Sequence, residues 1–398
     1  MTASAPLAAR GISDRVSRFT ESVIREMTRL AMEHNAINLA QGFPDFPAPD
    51  FIKEAAIRAI RGDVNQYAVT WGDPELRQAI AAKYQRWYGL DLDPNRHVTV
   101  CCGATEAMIS VLMAVLNPGD ETVIFEPFYE NYGPDTILSG AVPRFVPLRF
   151  SSSGWHFDRA ELAAAFNART RAIIINSPNN PTGKVFSRGE LECIRDLCLQ
   201  WDCLAITDEI YEHILYEGRR HIPLAGLEGM AERTITISGI SKTFSVTGWR
   251  IGWALAPERL AGGIRKVHDF LTVGAPAPLQ LAAAQAMNQG DEYCRGLAGE
   301  YAARRDRLVP QLQACGLACA PPEGAYYVMA DVAPFLPRHG ANGDEFARWL
   351  VREIGIATVP GASFYQSPEK GRSQIRFCYP KTASTLDAAA LRLAKLRP

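Results

Sequence analysis

The 398-residue chain lacks long apolar runs, internal repeats and low-complexity tracts. A membrane-spanning helix needs roughly 18 consecutive apolar residues, and no segment approaches that length. Residues 1–11 are small and polar, without the apolar centre of a secretory signal. These absences predict a protein that neither spans a membrane nor is exported.

An excess of one charge and paired cysteines are also missing. The 42 basic and 43 acidic side chains leave a formal net charge of −1, so neither nucleic acid nor a membrane surface is expected as a partner. The nine cysteines are odd in number and lack paired short spacings, which argues against a disulfide framework and a zinc site. We therefore expect a reduced, cytoplasmic protein without a bound metal.

The chain does contain short β-rich runs that alternate with helical ones between about His97 and Ala256. This alternation is typical of a βαβ sheet, and nearly all-apolar strands indicate parallel strands covered on both faces. The predicted strands are Val98–Cys102, Thr122–Phe125, Val142–Pro147, Ala172–Asn176, Cys203–Thr207, Thr234–Ser238 and Ile251–Leu255. We expect an α/β fold with a mainly parallel seven-stranded sheet.

A smaller α/β unit is predicted after this sheet. The predicted helices are Ala104–Leu116, Asp158–Phe166, Arg188–Trp201, Pro257–Leu271, Pro278–Gln289, Glu292–Leu312, Asp344–Ile354 and Ala383–Leu396, and the later strands are Ala325–Val332, Ala357–Val359 and Gln374–Cys378. We predict residues 41–290 as the large domain and residues 291–398 as the small one. Residues 1–40 form an arm that packs with the small domain.

The segment Gly103-Ala104-Thr105 directly follows a predicted strand and opens a helix. A glycine lets backbone approach an anion there, and the free N–H groups and positive dipole end of the helix attract phosphate. The segment predicts a phosphate cup with Ala104 and Thr105 as donors. An ordinary strand-to-helix turn would explain the same residues.

Two more segments after strands carry aromatic or amide groups. Tyr129, in Glu126-Pro127-Phe128-Tyr129, could stack on a flat ring, although most such aromatics are core residues. The rigid turn from Asn176 to Gly183 presents two adjacent asparagines. Its Asn180 could hold a phenolic oxygen and a substrate carboxylate.

Asp208 and Tyr211 follow the predicted strand Cys203–Thr207. A buried carboxylate opposite a pyridine nitrogen keeps that nitrogen protonated and makes the ring an electron sink. Tyr211 could reach the phenolic oxygen of the same ring. A helix N-cap is the other explanation for Asp208.

Lys242 stands eight residues before Arg250. A lysine amine can form a Schiff base with a carbonyl cofactor, and a guanidinium can grip a phosphate with two prongs. With Ser241 as a further phosphate donor, this segment suggests covalently held pyridoxal 5′-phosphate (PLP). Lys242 needs a depressed pKa for that role, which burial and the neighbouring Arg250 could set.

Arg376 is a single charge within the otherwise apolar strand Gln374–Cys378. Such a charge is costly unless an anion meets it. A substrate α-carboxylate, bound through two hydrogen bonds, would do so, and an internal salt bridge is the alternative. Six such segments in a fixed order argue against coincidence.

The ordered motifs resemble class I aminotransferases of PLP fold type I, over nearly everything from Asn38 to the C-terminus. The branch that contains glutamine transaminase K (kynurenine aminotransferase) and methionine aminotransferases is the most similar. The segments that carry the resemblance are Gln41-Gly42-Phe43-Pro44-Asp45-Phe46-Pro47, Asn65-Gln66-Tyr67, Glu126-Pro127-Phe128-Tyr129, Pro178-Asn179-Asn180-Pro181 and Ile375-Arg376-Phe377-Cys378.

The resemblance implies ping-pong transfer of an amino group from an L-amino acid to a 2-oxo acid through a lysine Schiff base. It implies that Lys242 also shuttles protons. It assigns the phosphate to Ala104, Thr105, Ser241 and Arg250, the ring to Tyr129, Asn180, Asp208 and Tyr211, and the substrate carboxylate to Gly42, Asn180 and Arg376. Tyr67 would reach the phosphate of the other subunit's cofactor, so a homodimer with shared active sites is implied.

Substrate preference is where the chain departs from its branch. Aromatic-preferring members build a side-chain box from aromatics and histidine, whereas this chain has Ile24, Thr105, Ala275 and Pro276 at the corresponding positions. No second arginine is evident that would bind a distal carboxylate. Kynurenine and phenylalanine, and likewise aspartate and glutamate, are therefore not assured as donors.

Three alternatives stay open at this point. The same site could eliminate a leaving group at Cβ, as a cysteine-S-conjugate β-lyase does. The enzyme could be an aspartate-type aminotransferase. From a different class, it could be a PLP-fold regulator without turnover, although there is no room before Asn38 for a helix-turn-helix domain of the usual kind.

Overall fold

The computed structural model describes residues 11–151 and 154–396. Its strands are β1 (Ile37–Asn38), β2 (Val98–Cys101), β3 (Glu121–Glu126), β4 (Val142–Pro147), β5 (Arg149–Ser151), β6 (Gly154–His156), β7 (Thr170–Asn176), β8 (Leu204–Asp208), β9 (Thr234–Gly239), β10 (Gly252–Leu255), β11 (Tyr327–Asp331), β12 (Ile356–Ala357), β13 (Val359–Pro360) and β14 (Gln374–Cys378). Its helices are α1 (Val23–Glu33), α2 (Asp50–Arg61), α3 (Pro74–Tyr88), α4 (Ala104–Val115), α5 (Tyr132–Leu138), α6 (Arg159–Ala164), α7 (Arg188–Gln200), α8 (Glu258–Thr272), α9 (Ala277–Gln289), α10 (Asp291–Ala314), α11 (Leu336–His339), α12 (Gly343–Trp349) and α13 (Ala383–Leu393).

The large sheet has seven strands in the order β2-β10-β9-β8-β7-β3-β4. Strand β10 is antiparallel to both neighbours, and the remaining pairs are parallel. The seven predicted strands and the mainly parallel sheet are therefore confirmed. Because β2, β3, β7, β8 and β9 run the same way, their carboxyl ends, and the polar segments that follow them, meet at one edge.

The second unit combines both ends of the chain. Strands β11, β14 and β13 form an antiparallel sheet, while β1 pairs in parallel with β12. The backbone N–H of Leu39 donates to Ala357 O at 2.9 Å. Buried residues of α1 lie in the same apolar cluster as β14. The N-terminal stretch thus contacts the C-terminal part, and the division into domains at residues 40 and 290 stays a prediction.

Some predicted elements differ from the structure. The expected strand Ala357–Val359 is two short strands, because β12 pairs with β1 and β13 pairs with β14 on either side of buried Thr358. The helix predicted over Asp344–Ile354 is α12 followed by a π-turn that ends at left-handed Gly355. The elements without a prediction are β1, β5, β6, α1, α2, α3, α5 and α11.

The buried apolar cluster of the smaller unit also includes Ile210, Tyr211, Ile214 and Tyr216, which follow β8 of the large sheet. Helix α10 contributes to this cluster and to one in the large unit. No helix in the part of the chain that the structure describes has the length and apolarity needed to cross a bilayer. None of the nine cysteines forms a disulfide with another described residue.

Candidate active site

A cavity of about 200 Å³ lies at the carboxyl edge of the large sheet. All the residues predicted to bind cofactor or substrate line it, with Tyr67 as the exception. They are Gly42, Ala104, Thr105, Tyr129, Asn180, Asp208, Tyr211, Ser241, Lys242, Arg250 and Arg376. Residues that lie far apart in the sequence thus share one site.

The wall of the cavity at the start of α4 is rich in hydrogen-bond donors. Gly103, with φ at +85°, turns the chain from β2 into α4, and a Cβ at this position would overlap the Arg250 guanidinium. The guanidinium donates through Nη1 to Thr247 O at 2.8 Å and through Nη2 to Cys102 O at 3.4 Å. The first N–H groups of a helix have no partner within it, so this wall suits an anion.

Asp208 ends β8 and is buried. Its Oδ2 accepts from the Tyr132 hydroxyl at 2.7 Å, and its Oδ1 accepts from the Ile210 N–H at 3.2 Å. Burial raises the pKa of the carboxyl above its ordinary value, because desolvation penalises the charge. No helix among the described residues begins directly after Asp208, so the N-cap explanation is wrong.

Lys242 follows β9, and its amine lies inside the cavity. The Nζ donates to Gly42 O at 3.2 Å and lies 5.9 Å from the centre of the Tyr326 ring. Desolvation, followed by the positive charges of Arg250 and Arg376, lowers the pKa of this amine to about 8. The direction and the causes agree with the sequence prediction.

Arg376 of β14 is fully buried at the base of the cavity. Its Nη1 donates to Asn180 Oδ1 at 2.7 Å, and its Nη2 donates to Ala40 O at 2.6 Å. The guanidinium lies over the Tyr327 ring, 4.3 Å from the ring centre. Its Nε has no hydrogen-bond partner, and no described carboxylate forms an ion pair with the side chain. The internal salt bridge is therefore wrong, and this buried cation still has a free donor.

Several residues of the site were missed by sequence reasoning. Tyr132 on α5 supports Asp208, and the Tyr327 hydroxyl lies 2.9 Å from that of Tyr211. Asn176 donates to the Asp208 carbonyl oxygen and accepts from the Asn180 N–H at 2.7 Å. Asn176 begins a motif that was noted, whereas neither tyrosine has a sequence signal beyond being aromatic.

This geometry agrees with the comparisons to known proteins. The family model for class I and II aminotransferases matches residues 34–393. The chain belongs to this family. Its members depend on PLP and act on amino acids and 2-oxo acids, so the chain is a PLP-dependent aminotransferase with the ping-pong chemistry general to the family.

Similar proteins carry several substrate names. Human kynurenine–oxoglutarate transaminase 1 is 38% identical, across 93% of this chain and 94% of that protein. The structure of N-succinyldiaminopimelate aminotransferase from Mycobacterium tuberculosis has a TM-score of 0.94 at 40% identity. The match covers 97% of the present chain and 100% of the Mycobacterium chain. A methionine aminotransferase structure from Escherichia coli has a TM-score of 0.92 at 34% identity, with coverage of 97% and 100%.

Three predicted positions of the aminotransferase lie outside the cavity. Tyr67 is 87% exposed. Ala275 is buried in another apolar cluster, and Pro276 precedes α9. Of the four expected side-chain-box residues, Ile24 and Thr105 line the cavity of this chain.

A cluster of titratable side chains lies behind the cavity wall at the start of α4. The Glu106 Oε2 accepts from the Cys102 N–H at 2.9 Å and lies 2.9 Å from His268 Nδ1, while His268 Nε2 lies 2.9 Å from Thr70 O. The Cys101 sulfur, a Glu106 carboxylate oxygen and a His268 ring nitrogen, atoms that could bind a metal ion, lie within 4.8 Å of one another. Since hydrogen bonds already engage Glu106 and His268, we interpret the cluster as support for the start of α4.

Proposed function

We propose that this cavity performs the amino transfer, with Lys242 as the residue that carries PLP and moves the protons. The observation that carries the proposal is the convergence of the Lys242 amine, the Asp208 carboxylate and the Arg376 guanidinium on one cavity. No two of these residues are neighbours in the sequence. Each has the chemistry that one part of the reaction needs.

The donors of the cavity fit PLP. The Arg250 guanidinium, the start of α4 at Ala104 and Thr105, and the Ser241 hydroxyl would hold its phosphate. Gly103 supports this assignment, because any side chain there would displace Arg250. Tyr129 would stack on the ring, and Asn180 and Tyr211 would contact its phenolic oxygen.

Asp208 would hold a proton on the pyridine nitrogen. A buried carboxylate with a raised pKa gains most from a cationic partner, which a pyridinium N–H provides. When bound, PLP supplies the electron sink for negative charge that develops at the substrate Cα. The Tyr132 hydroxyl would keep Asp208 in position for that contact.

Lys242 would hold the cofactor covalently and, as a free amine, would take the proton from the substrate Cα. The pKa of about 8 leaves a useful fraction of this amine unprotonated near neutral pH. Because only the unprotonated amine attacks an aldehyde, the rate of PLP capture by the apoenzyme is expected to rise with pH through about 8.

Arg376 would bind the substrate α-carboxylate through its free Nε and one Nη. Asn180 and Ala40 O hold the guanidinium in place, and the Tyr327 ring packs against its face. Gly42 lies beside this group, where a Cβ would overlap the Tyr327 hydroxyl. A glycine is thus required for the backbone at residue 42 to lie against Tyr327.

We further propose a homodimer in a reduced, cytoplasmic setting. The exposed apolar side chains Tyr67, Val69, Phe270 and Val273 support a subunit interface. The two segments that carry them are adjacent, because Thr70 O contacts His268 and lies 3.7 Å from the Cβ position of Gly274. In this assembly Tyr67 would reach the partner's cofactor. Cysteines that are not joined in disulfides suit a reducing compartment.

Borohydride reduction of the holoenzyme followed by peptide mapping tests the proposal directly. The tag is expected on Lys242, and a tag on any other lysine would refute the assignment. Mixing the PLP form with each amino acid and following conversion to the pyridoxamine form ranks the donors. Release of pyruvate and ammonia from a cysteine conjugate, compared with oxo-acid-dependent transfer, measures the competing β-lyase reaction.

A further inference from the structure

One cation of the cavity has no role in the proposed function. Arg25 lies in the first turn of α1 and lines the cavity, with its side chain exposed at the mouth. Its guanidinium makes no hydrogen bond or ion pair with any described residue. By contrast, Arg376 and Arg250 each donate two hydrogen bonds to the protein.

The position of Arg25 is fixed by the helix that carries it. Ser22 caps α1 by accepting from the Arg25 N–H at 3.4 Å. The adjacent Ile24 lines the cavity and, with Met27 and Ala31, is buried in the core of the smaller unit. The backbone is therefore anchored, and only the long side chain is free to meet a ligand.

The neighbouring acidic groups leave Arg25 unpaired. Glu21 pairs with Arg29 at 3.0 Å, and Glu26 pairs with Arg348 at 2.7 Å. Glu130 also lines the mouth, where its Oε1 accepts from the Ser22 hydroxyl at 2.6 Å. The mouth thus offers a free guanidinium beside a carboxylate that already has a donor.

The cavity runs from the fully buried Arg376 to the exposed Arg25. A substrate whose α-carboxylate lies at Arg376 directs its side chain toward the mouth, provided that the proposed function holds. We propose that Arg25 binds the distal carboxylate of dicarboxylic amino acids or 2-oxo acids with side chains longer than that of aspartate. Arg25 is the second arginine that sequence reasoning did not find.

L-2-Aminoadipate and L-norleucine test this, because they match in chain length and differ in the terminal carboxylate. The Arg25→Met holoenzyme is expected to lose roughly tenfold in the ratio of kcat/KM for aminoadipate over norleucine, mainly through KM. Arg25→Lys should retain most of the preference, since it keeps the charge. Arg61→Met, at an exposed arginine in the last turn of α2 and outside the cavity, is the matched control and should leave the ratio unchanged.

Two further measurements sharpen the test. Glu130→Gln is expected to increase the preference for aminoadipate, because it removes a negative charge from the mouth. Unreactive adipate should bind the wild-type holoenzyme more tightly than hexanoate, and Arg25→Met should reduce that difference. A ratio unchanged in Arg25→Met, or a wild-type enzyme that uses norleucine but not aminoadipate, would overturn the role of Arg25. Absence of turnover with every amino acid would refute the proposed function as well.

Discussion

The cavity has two walls of different origin. The proposed cofactor wall comprises Ala104, Thr105, Asp208, Ser241, Lys242 and Arg250, which lie at or after the carboxyl ends of strands of the large sheet. The proposed substrate wall comprises Arg25, Gly42, Tyr327 and Arg376, which lie on α1, a loop, β11 and β14. The cofactor wall comes from the repeated alternation of strand and helix in the large sheet. The substrate wall is assembled from the N-terminal and C-terminal parts of the chain.

The two walls also differ in how their charges are held. Arg250 and Lys242 on the cofactor wall donate to backbone carbonyl oxygens, so they keep their charge or their lone pair for a ligand. On the substrate wall, Arg376 depends on Asn180 and Ala40, which are 196 and 336 residues away in the sequence. The cofactor wall thus depends mainly on where the strands of one sheet end, whereas the substrate wall depends on how the two units pack together.

Lys242→Ala should have the largest effect on activity. It removes both the attachment point and the proton carrier, and we expect turnover to fall by roughly 10⁴-fold or more. Steady-state transamination measures this, while circular dichroism checks that the fold persists. Lys395→Ala, which changes an exposed lysine of the C-terminal segment, is the control. Multiple turnovers by Lys242→Ala would show that the cofactor wall has another base.

Asp208→Asn should reduce kcat by roughly 10²–10³-fold, the range for losing one preorganised electrostatic group. The amide retains the shape but cannot hold a proton on the pyridine nitrogen. KM for the amino acid should change much less, because Asp208 lies on the cofactor wall. A loss of the same size in kcat/KM, with kcat unchanged, would mean that Asp208 acts in substrate binding.

Arg376→Lys tests the substrate wall. A lysine keeps the charge but loses the two-pronged geometry and the contacts to Asn180 and Ala40. We expect a loss of about 2 kcal/mol in kcat/KM, the lower end for a buried charged pair, expressed chiefly in KM. An effect confined to kcat would contradict the separation of the two walls.

The same separation explains what the sequence could and could not predict. Each cofactor-wall residue lies at or after the end of an apolar strand. Because parallel strands bring their carboxyl ends to one edge of the sheet, Lys242 and Asp208 were predicted to share a site. Arg376 was found because a charge in an apolar strand is costly. The hydrogen bonds from Arg376 to Asn180 and Ala40 were not predicted, because no local pattern relates these residues to β14. Arg25 resembles an ordinary solvated charge until α1 is seen to line the cavity.

Tyr132→Phe sharpens the comparison within the cofactor wall. The variant removes the hydroxyl group, and with it the 2.7 Å hydrogen bond to Asp208 Oδ2, but keeps the aromatic ring. A hydrogen bond to a charged group is worth about 1.5–3 kcal/mol, so we expect kcat to fall by at least about tenfold. Tyr327→Phe, on the substrate wall, should instead act mainly on KM. Identical kinetic effects of the two variants would remove the distinction between the walls.

Glu106→Gln should have the smallest effect on turnover, because Glu106 supports the cofactor wall from behind. Desolvation opposes its charge, but His268 outweighs that effect and holds the pKa of Glu106 below its ordinary value of 4.5. Burial likewise opposes a charge on His268, yet Glu106 raises the pKa of His268 above 6.5. The neighbouring Cys101 thiol stays neutral, since burial raises its pKa well above its ordinary value.

The pH dependence of Glu106→Gln follows from these two shifts. The contribution of Glu106 is complete above pH 4.5 and is lost as the pH falls through its lowered pKa. The contribution of His268 is complete below pH 6.5 and is lost as the pH rises through its raised pKa. Thermal unfolding of the variant should therefore show its greatest destabilisation, about 1–3 kcal/mol, between these two pH values and a smaller one in mildly alkaline buffer. A destabilisation that does not vary with pH would mean that Glu106 and His268 are not ionised as a pair.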